Sequence, residues 1–220
     1  MTRTFITGTG TGVGKTLVTS ILARQLRAQG RTVRALKPVI SGFTGATAAD
    51  SDTAELLRAT GRPVTQETIA DISPWRFAEP LSPDMAALRE GRSIDLLKLI
   101  EFCDAPAQAD HTLIEGVGGA FVPLNDAHTI ADWIAELSIP ALLVCGSYLG
   151  TLSHTIATLE ALVNRRVTVT GIVISESPES PVPLAETQAT LGRFVGTVDI
   201  VCLPRVGDWT DAPDLTGLIG

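Results

Sequence analysis

The stretch Gly8-Thr9-Gly10-Thr11-Gly12-Val13-Gly14-Lys15-Thr16 lies where the hydrophobic pattern of the chain changes from that of a strand to that of a helix. Before it, the segment 4–7 is predicted to be the first strand. After it, apolar side chains recur at helical spacing, at Leu17, Val18, Ile21, Leu22 and Leu26. A glycine-rich loop between a strand and a helix is the context of a phosphate-binding loop, and it predicts an α/β fold.

This loop has the chemistry of a phosphate site. Its glycines let backbone N–H groups approach phosphate oxygens, and the following helix adds the partial positive charge of its N-terminus. Lys15 supplies a full positive charge near the β and γ phosphates, and the Thr16 hydroxyl is placed to bind Mg²⁺. Five residues rather than four separate Gly8 from Gly14, which departs from the ordinary Walker spacing. The alternative interpretation is a glycine-rich turn followed by a solvated lysine.

Strand and helix patterns alternate along the rest of the chain. Further strands are predicted at 32–39, 112–115, 140–145, 167–175 and 198–203, and helices at 129–137, 153–163 and 184–194. Another helix would be capped by Ser93, and the segment 40–83 is loop-rich apart from a short helix near Ser51 or Asp52. The alternation predicts an α/β fold with a doubly wound, mostly parallel sheet of the P-loop NTPase-like type, with residues 1–220 in a single domain.

Ligands of such sheets bind beyond the carboxyl ends of the strands. The loops expected at that edge are 8–16, 37–42, 115–119, 146–153 and 175–183. The loops of most interest are therefore expected together at this edge.

Composition and charge restrict the class of partner. Hydrophobic residues make up 45% and charged residues 19% of the chain, which is typical of a globular protein. The net charge of −7 opposes contact with a phosphate backbone, so no nucleic-acid partner is expected. The sequence has no recognisable signal peptide or membrane-spanning apolar run, and its three cysteines lack metal or redox spacing. These features predict a cytoplasmic protein that does not act at a membrane.

Two carboxylates and a second lysine complete the candidate site. Glu115 ends an apolar strand, so its carboxylate would point into the crevice of the glycine loop and bind Mg²⁺ with Thr16. Asp52 is a third candidate ligand, although an Asp at the start of a helix is also an ordinary cap. Lys37 ends the second strand, and we expect it to face Lys15 across bound phosphates, where it would stabilise a transferring phosphoryl group. The alternatives are a surface carboxylate at Glu115 and a surface lysine at Lys37.

Six segments together resemble the dethiobiotin synthetase family, in that family's order and over about residues 4–206. The glycine loop, with its extra residue, is the first of them. The others are Lys37-Pro38-Val39 with Ser41-Gly42, Phe77-Ala78-Glu79-Pro80 with Ser82-Pro83, Glu115-Gly116-x-Gly118-Gly119 with Pro123-Leu124, Ala131-Asp132-Trp133, and Leu149-Gly150-Thr151-Leu152-Ser153-His154. One such motif alone is weak evidence for this family, whereas six motifs in the family's order are specific evidence for it.

The resemblance implies a reaction that depends on ATP and Mg²⁺. CO₂ (or bicarbonate) and 7,8-diaminononanoate would give dethiobiotin, ADP and phosphate, through a carbamate and a carbamic–phosphoric anhydride. Lys37, Lys15 and Thr11 would be catalytic, and Ser41 would join Thr11 and Lys37 around the carbamate and the γ-phosphate. The metal ligands that the resemblance implies are Thr16, Asp52 and Glu115.

The resemblance also implies a set of nucleotide contacts. The set comprises Gly12, Val13, Gly14, Lys15, Thr16, Leu17, Asp52, Glu115, Gly116, Val117, Gly118, Ser175, Glu176, Pro204, Arg205 and Val206. In a familiar form of the family an acidic residue stands at the position of Gly12, and an Asn that reads the adenine edge stands at the position of Ser175. Because a hydroxyl is less directional than an amide, we expect other nucleoside triphosphates to be accepted besides ATP.

The family is homodimeric, which implies a substrate site at the dimer interface. Gly150, Thr151, Leu152 and Ser153 of one subunit would receive the far carboxylate of the diamine bound to the other. N–H groups that open a helix suit an anion, so this role is physically reasonable.

Two other classes of function stay open on the sequence alone. A small-molecule kinase or an amidoligase uses the same kind of loop and Mg²⁺, and differs from a carboxylating ligase in its dependence on bicarbonate. A partitioning-type P-loop ATPase has a similar loop, but carries a lysine at the place of Gly10 and often binds DNA or membranes.

Overall fold

The computed structural model describes residues 2–106 and 108–219, so Met1 and Gly220, the predicted limits of the domain, lie outside the described residues. Within these ranges the strands are β1 Thr2–Gly8, β2 Val33–Leu36, β3 Val39–Ile40, β4 Trp75–Arg76, β5 His111–Glu115, β6 Ala141–Gly146, β7 Val169–Ser175 and β8 Asp199–Leu203. The helices are α1 Lys15–Ala28, α2 Asp52–Ala59, α3 Gln66–Ile72, α4 Pro83–Arg89, α5 Leu96–Asp104, α6 Ile130–Leu137, α7 Thr151–Asn164 and α8 Leu184–Leu191. Short 3₁₀ turns cover Ala48–Asp50, Trp209–Asp211 and Thr216–Leu218.

The main sheet is parallel and has the strand order β2-β5-β1-β6-β7-β8. β1 lies between β5 and β6. From β1 the chain passes to the edge strand β2 and returns to β5, and it then crosses to the other side of β1 for β6, β7 and β8. A reversal of this kind opens a crevice at the carboxyl ends of the strands, beside β1. The predicted α/β, doubly wound, mostly parallel class is therefore confirmed.

Alternate side chains along the strands form a hydrophobic core on each face of the sheet. Phe5 belongs to the larger core, whereas its neighbour Ile6 belongs to a second core beneath α1. Leu215, Leu218 and Ile219 are buried in that second core. The C-terminal segment therefore covers part of one face of the sheet, a role that its sequence did not indicate.

The predicted strand 32–39 is wrong, because two separate strands occupy this segment. β2 ends at Leu36, and Val39–Ile40 pairs with Trp75–Arg76 in a second, two-stranded sheet. The break lies at Pro38, which has no N–H to donate to a ladder. The Lys37 N–H donates instead to Ile72 O at 3.0 Å. This interruption places Lys37 just beyond the carboxyl end of β2.

Three helix predictions also need correction. The segment 40–83 contains α3 and α4 besides α2, and these two helices have 7 residues each, too few to show a clear period. α5 is capped by Asp95 rather than Ser93, since Asp95 Oδ1 accepts from the Leu97 N–H at 2.9 Å. α7 begins at Thr151, before its predicted start. No helix within the two described ranges has both the length and the apolar composition that a membrane span requires.

Candidate active site

The loop between β1 and α1 is built for close backbone contact. Gly12 and Gly14 have φ of 73° and 95°, in the left-handed region that glycine adopts without strain. A Cβ on Gly14 would lie 2.5 Å from Ser175 Oγ, so only glycine fits there. Gly14 is also the N-cap of α1, so the loop leads into the unpaired N–H groups of the first helical turn. Such a run of N–H groups forms an anion-binding concavity.

Lys15 adds a buried positive charge to this loop. It is 6% exposed, and its Nζ donates to Gly10 O at 2.9 Å. Burial, followed by the nearby charge of Lys37, lowers the pKa of Lys15 to about 8. An adjacent anion would favour the protonated amine, so the loop and its lysine together suit a phosphate group.

Lys37 is buried between two carboxylates. Its Nζ lies 2.5 Å from Glu115 Oε1 and 3.1 Å from Asp52 Oδ2, and it donates to Gly116 O at 3.0 Å. Burial favours the neutral amine, but the two carboxylates outweigh it and raise the pKa of Lys37. Burial likewise acts against the charged form of Asp52, but Lys37 outweighs it and lowers the pKa of that carboxyl. Thr16 Oγ1 donates to the same Glu115 oxygen at 2.7 Å, which completes the cluster.

The strand order explains how these side chains meet. In the main sheet β5 lies between β2 and β1. Glu115 ends β5, so it lies between Lys37, which follows β2, and the glycine loop, which follows β1. The predicted group of Thr16, Lys37, Asp52 and Glu115 is therefore brought together, with Lys37 in contact with both carboxylates.

A cavity of about 420 Å³ opens over this cluster. Its size is within the range of roughly 300–1,000 Å³ that small-molecule sites occupy. It is lined by the predicted Thr11, Gly12, Gly14, Lys15, Thr16, Leu17, Lys37, Ser41, Asp52, Glu115, Val117 and Gly118, and by Ile40. Ile40 was not predicted to line the site, because an apolar residue in a predicted loop gives no indication of a chemical role.

The glycines that follow Glu115 pack against the phosphate loop itself. A Cβ on Gly119 would lie 3.1 Å from the Cα of Gly10, and the Ala120 N–H donates to Gly8 O at 2.8 Å. A Cβ on Gly116 would lie 2.9 Å from the ring of Phe5. Gly119 therefore allows the two loops to make contact, and Gly116 allows the segment after β5 to pack against Phe5 of β1.

A second cavity of about 480 Å³ adjoins the first through the glycine loop. Its walls include the predicted Gly12, Val13, Gly14, Leu17, Ser175, Glu176, Pro204, Arg205 and Val206. Ser177, Pro178 and Gly207 also line it and were not predicted individually, although 175–183 was expected at this edge. Its position, beside the loop but away from Lys37, suits the base and sugar of a nucleotide.

The segment 150–153 stands apart from both cavities. Gly150 has φ of 104° and caps α7, and Thr151 Oγ1 donates to Gly146 O at 2.6 Å. Neither cavity is lined by Gly150, Thr151, Leu152 or Ser153. Within one chain the structure does not bring these predicted substrate-binding residues to the site.

The cluster fits a divalent cation that prefers oxygen ligands. Glu115 is fully buried, and its Oε2 has no hydrogen-bond partner among the described residues. The Thr16 hydroxyl lies close to Glu115 because it donates to Oε1 of that side chain. The Asp52 carboxylate lies close to Glu115 because both side chains contact the ammonium group of Lys37. Mg²⁺ takes oxygen ligands and keeps several waters, so two carboxylates and one hydroxyl are enough to hold it.

Taken together, the glycine loop, its lysine and the oxygen ligands at the crevice of a doubly wound sheet define a P-loop nucleotide-binding protein. A family model described as an AAA domain matches residues 2–212. Two solved structures share the fold alone. One is the signal recognition particle receptor FtsY from Elizabethkingia anophelis, with TM-score 0.53 and 16% identity over 99% of this chain and 63% of that chain. The other is MinD from Pyrococcus horikoshii complexed with Mg-ADP, with TM-score 0.51 and 17% identity over 92% of this chain and 81% of that chain.

Sequence relatives narrow the class further. An ATP-dependent dethiobiotin synthetase from Methylobacterium nodulans is 47% identical over 214 residues, which are 94% of this chain and 95% of the relative. Another dethiobiotin synthetase, from Acidiphilium cryptum, is 46% identical over 213 residues, which are 95% of this chain and 96% of the relative. This chain belongs to the dethiobiotin synthetase family.

Proposed function

We propose that this enzyme is a cyclo-ligase that forms C–N bonds, carboxylating 7,8-diaminononanoate with CO₂ and closing the ring of dethiobiotin with ATP and Mg²⁺. The observation that supports this most is the contact of the buried Lys37 with the buried Glu115 and the partly exposed Asp52 beside the glycine loop, in a chain of the dethiobiotin synthetase family. ADP and phosphate are the other products.

The nucleotide lies along the two adjoining cavities. The backbone of residues 12–17 wraps the phosphates, Lys15 contacts the β- and γ-phosphates, and the segment 115–118 borders them. Ser175, Glu176 and the segment 204–206 surround the base. Thr16, Asp52 and Glu115 hold Mg²⁺, which when bound neutralises charge on the phosphate oxygens.

The chemistry proceeds in three steps. One amine of the substrate combines with CO₂ to give a carbamate and release a proton. A carbamate oxygen then takes the γ-phosphoryl group of ATP, and ADP leaves. The second amine attacks the carbonyl carbon of this mixed anhydride, and phosphate leaves as the ring closes.

The chain contributes mainly charge and position to these steps. Lys15 and Lys37 stabilise the negative charge on the transferring phosphoryl group, which is the main catalytic contribution of proteins to this type of reaction. Thr11 and Ser41 line the same cavity and position the carbamate. Thr16, Asp52 and Glu115 would hold Mg²⁺, whose positive charge would compensate these carboxylates, and the Lys37 ammonium, which contacts both of them, would then be available to the substrate.

The active form is a cytoplasmic homodimer without a nucleic-acid partner. The substrate site is shared, and residues 150–153 of one subunit receive the far carboxylate of the diamine bound to the other. Gly150 and Ser153 are exposed but line neither cavity of their own chain, which supports this arrangement.

The test is a reconstitution with purified components. Enzyme, diamine, MgATP and isotopically labelled bicarbonate are incubated, and the product is examined by mass spectrometry. We expect labelled dethiobiotin with one ADP formed for each ring closed. Phosphorylated diamine formed without bicarbonate would indicate a kinase instead, and ATP hydrolysis without any organic product would contradict a ligase.

A further inference from the structure

The cavity assigned to the nucleotide base contains a carboxylate that is fixed in place. Glu176 follows β7 directly, and its N–H donates to Leu203 O at 2.9 Å, which continues the pairing of β7 with β8. Its Oε2 accepts from the Arg205 N–H, also at 2.9 Å. The side chain of Glu176 therefore bridges the two segments that form the wall of this cavity.

This anchoring uses only one carboxylate oxygen. Across residues 2–106 and 108–219, no protein hydrogen bond to Oε1 of Glu176 is found, and no ion pair forms on this carboxylate. Each carboxylate oxygen can accept more than one hydrogen bond. Glu176 thus offers a positioned acceptor to whatever occupies the cavity.

Ser175 is poorly placed for the same task. It is 7% exposed, and its hydroxyl lies so close to Gly14 that a Cβ there would be 2.5 Å away. Its hydroxyl is therefore packed against the phosphate loop. Glu176 is the side chain beside it that retains acceptor capacity toward the cavity.

We infer that Glu176 selects nucleotides whose base carries an exocyclic amino group, such as the N6 amine of adenine or the N4 amine of cytosine. A carboxylate accepts hydrogen bonds from such amines, as it does from cytosine in nucleic-acid recognition. A keto oxygen at the same position is also only an acceptor and repels the carboxylate. This inference rests on the proposed function for the use of a nucleoside triphosphate.

Two matched pairs of nucleotides test the inference without any need for turnover. ATP and ITP differ in one substituent, an amine in ATP and a keto oxygen in ITP, together with a proton on the adjacent ring nitrogen of ITP, and CTP and UTP differ in the same way. Dissociation constants are measured by competition with a fluorescent ADP analogue in the presence of Mg²⁺ and without diamine. We expect the amino member of each pair to bind at least about tenfold tighter, as expected for a hydrogen bond to a charged group.

Variants assign this preference to the carboxylate. Glu176→Gln keeps the shape but can both donate and accept, so the ratio within each pair should fall to about one. Glu176→Ala should lower the affinity ratio within each pair as well. Glu179→Gln removes an exposed carboxylate from the same loop and should keep the wild-type ratio.

The outcomes separate this inference from the proposed function. Equal binding of the amino and keto members by the wild-type enzyme, or an unchanged ratio in Glu176→Gln, would overturn the role of Glu176 alone. Tighter binding of the keto members would assign the base contact to a donor such as Arg205. Failure of all four nucleotides to bind would overturn the proposed function and this inference together.

Discussion

A single ammonium group lies between the two carboxylates of the candidate metal site. Glu115 is fully buried and Lys37 is 2% exposed, so their pairing takes place away from water. Two carboxylates this close need a cation between them, and in this structure the cation is Lys37. The same residue is proposed to act on the substrate, so removal of Lys37 should affect both stability and turnover, by separate physical routes.

Lys37→Met should lower turnover far more than nucleotide affinity. Loss of one group that stabilises transition-state charge costs on the order of 100-fold in rate or more. The glycine loop and Lys15 keep their contacts with the phosphates, so the Kd for ATP should change only a few-fold. Single-turnover formation of dethiobiotin and a binding titration measure the two effects, with Lys98→Met, at an exposed position on α5, as the control. Unchanged turnover would remove Lys37 from the mechanism.

The same variant should also be less stable when Mg²⁺ is absent. Removing one partner of a buried ion pair leaves an uncompensated charge, at a cost of about 3 kcal/mol. Mg²⁺ bound between Asp52 and Glu115 would restore the balance, so millimolar Mg²⁺ should recover most of the loss in Lys37→Met and stabilise the wild type much less. Urea unfolding with Mg²⁺ or with a chelator measures this difference. A loss that Mg²⁺ leaves unchanged would argue against a metal at these carboxylates.

At the scale of elements, the parts of the site that follow from local pattern could be predicted from the sequence. The glycine loop, Glu115 at a strand end and Lys37 after β2 all lie where hydrophobic runs give way to loops. The position of β5 between β1 and β2 could not be predicted, because pairing between distant strands leaves no local pattern. The contact of Lys37 with both carboxylates follows from that order, and was missed for the same reason.

Gly119→Ala tests the contact between two loops. The added Cβ would meet backbone atoms of Gly10 and Thr9 at 3.1–3.2 Å, and backbone cannot rotate away. The glycine loop must therefore shift, and nucleotide affinity should fall on the order of tenfold, as misplacement of a binding group commonly causes. Isothermal titration with MgADP measures the affinity. Gly45→Ala is the matched control, since its Cβ would meet no atom within 4 Å, and an equal loss there would contradict the explanation.

The capping box of α6 should depend on pH. Asp132 Oδ2 accepts from the N–H and the hydroxyl of Thr129 at 2.8 and 2.7 Å. Burial opposes ionisation, but these bonds and Arg165 outweigh it and lower the pKa of Asp132. This stabilisation is present above the unfolded-state pKa and is lost as the pH falls through the folded-state pKa.

Asp132→Asn should therefore lower the free energy of unfolding by about 1 kcal/mol near neutral pH. The difference from wild type should shrink as the wild-type carboxyl becomes protonated in acid. Urea unfolding over a pH series measures it, with Glu136→Gln, exposed on the same helix, as the control. A difference that stays constant into strong acid would rule out the ionised carboxylate as its source.

At the scale of the whole molecule, the carboxyl edge of the sheet carries both the candidate catalytic groups and the start of α7, but residues 150–153 line neither cavity of their own chain. The first turn of α7 is adjoined by Leu149, which is 88% exposed, and by the half-buried Leu152. An exposed leucine beside a helix N-terminus is a surface that a second copy of the chain could cover. The active site of one chain would then be completed by the α7 turn of its partner.

Leu149→Glu should break this proposed homodimer and weaken substrate binding with it. A charge placed in the proposed apolar contact should raise the dimer dissociation constant on the order of tenfold or more. The KM for the diamine should rise with it, because residues 150–153 would no longer reach the other subunit, whereas the Kd for MgADP should stay the same. Sedimentation velocity, steady-state kinetics and nucleotide titration measure the three quantities, and Leu97→Glu on α5, where Leu97 is 71% exposed, is the control. A monomeric wild-type enzyme with full activity, or a monomeric variant with an unchanged KM, would show that one chain binds the diamine unaided.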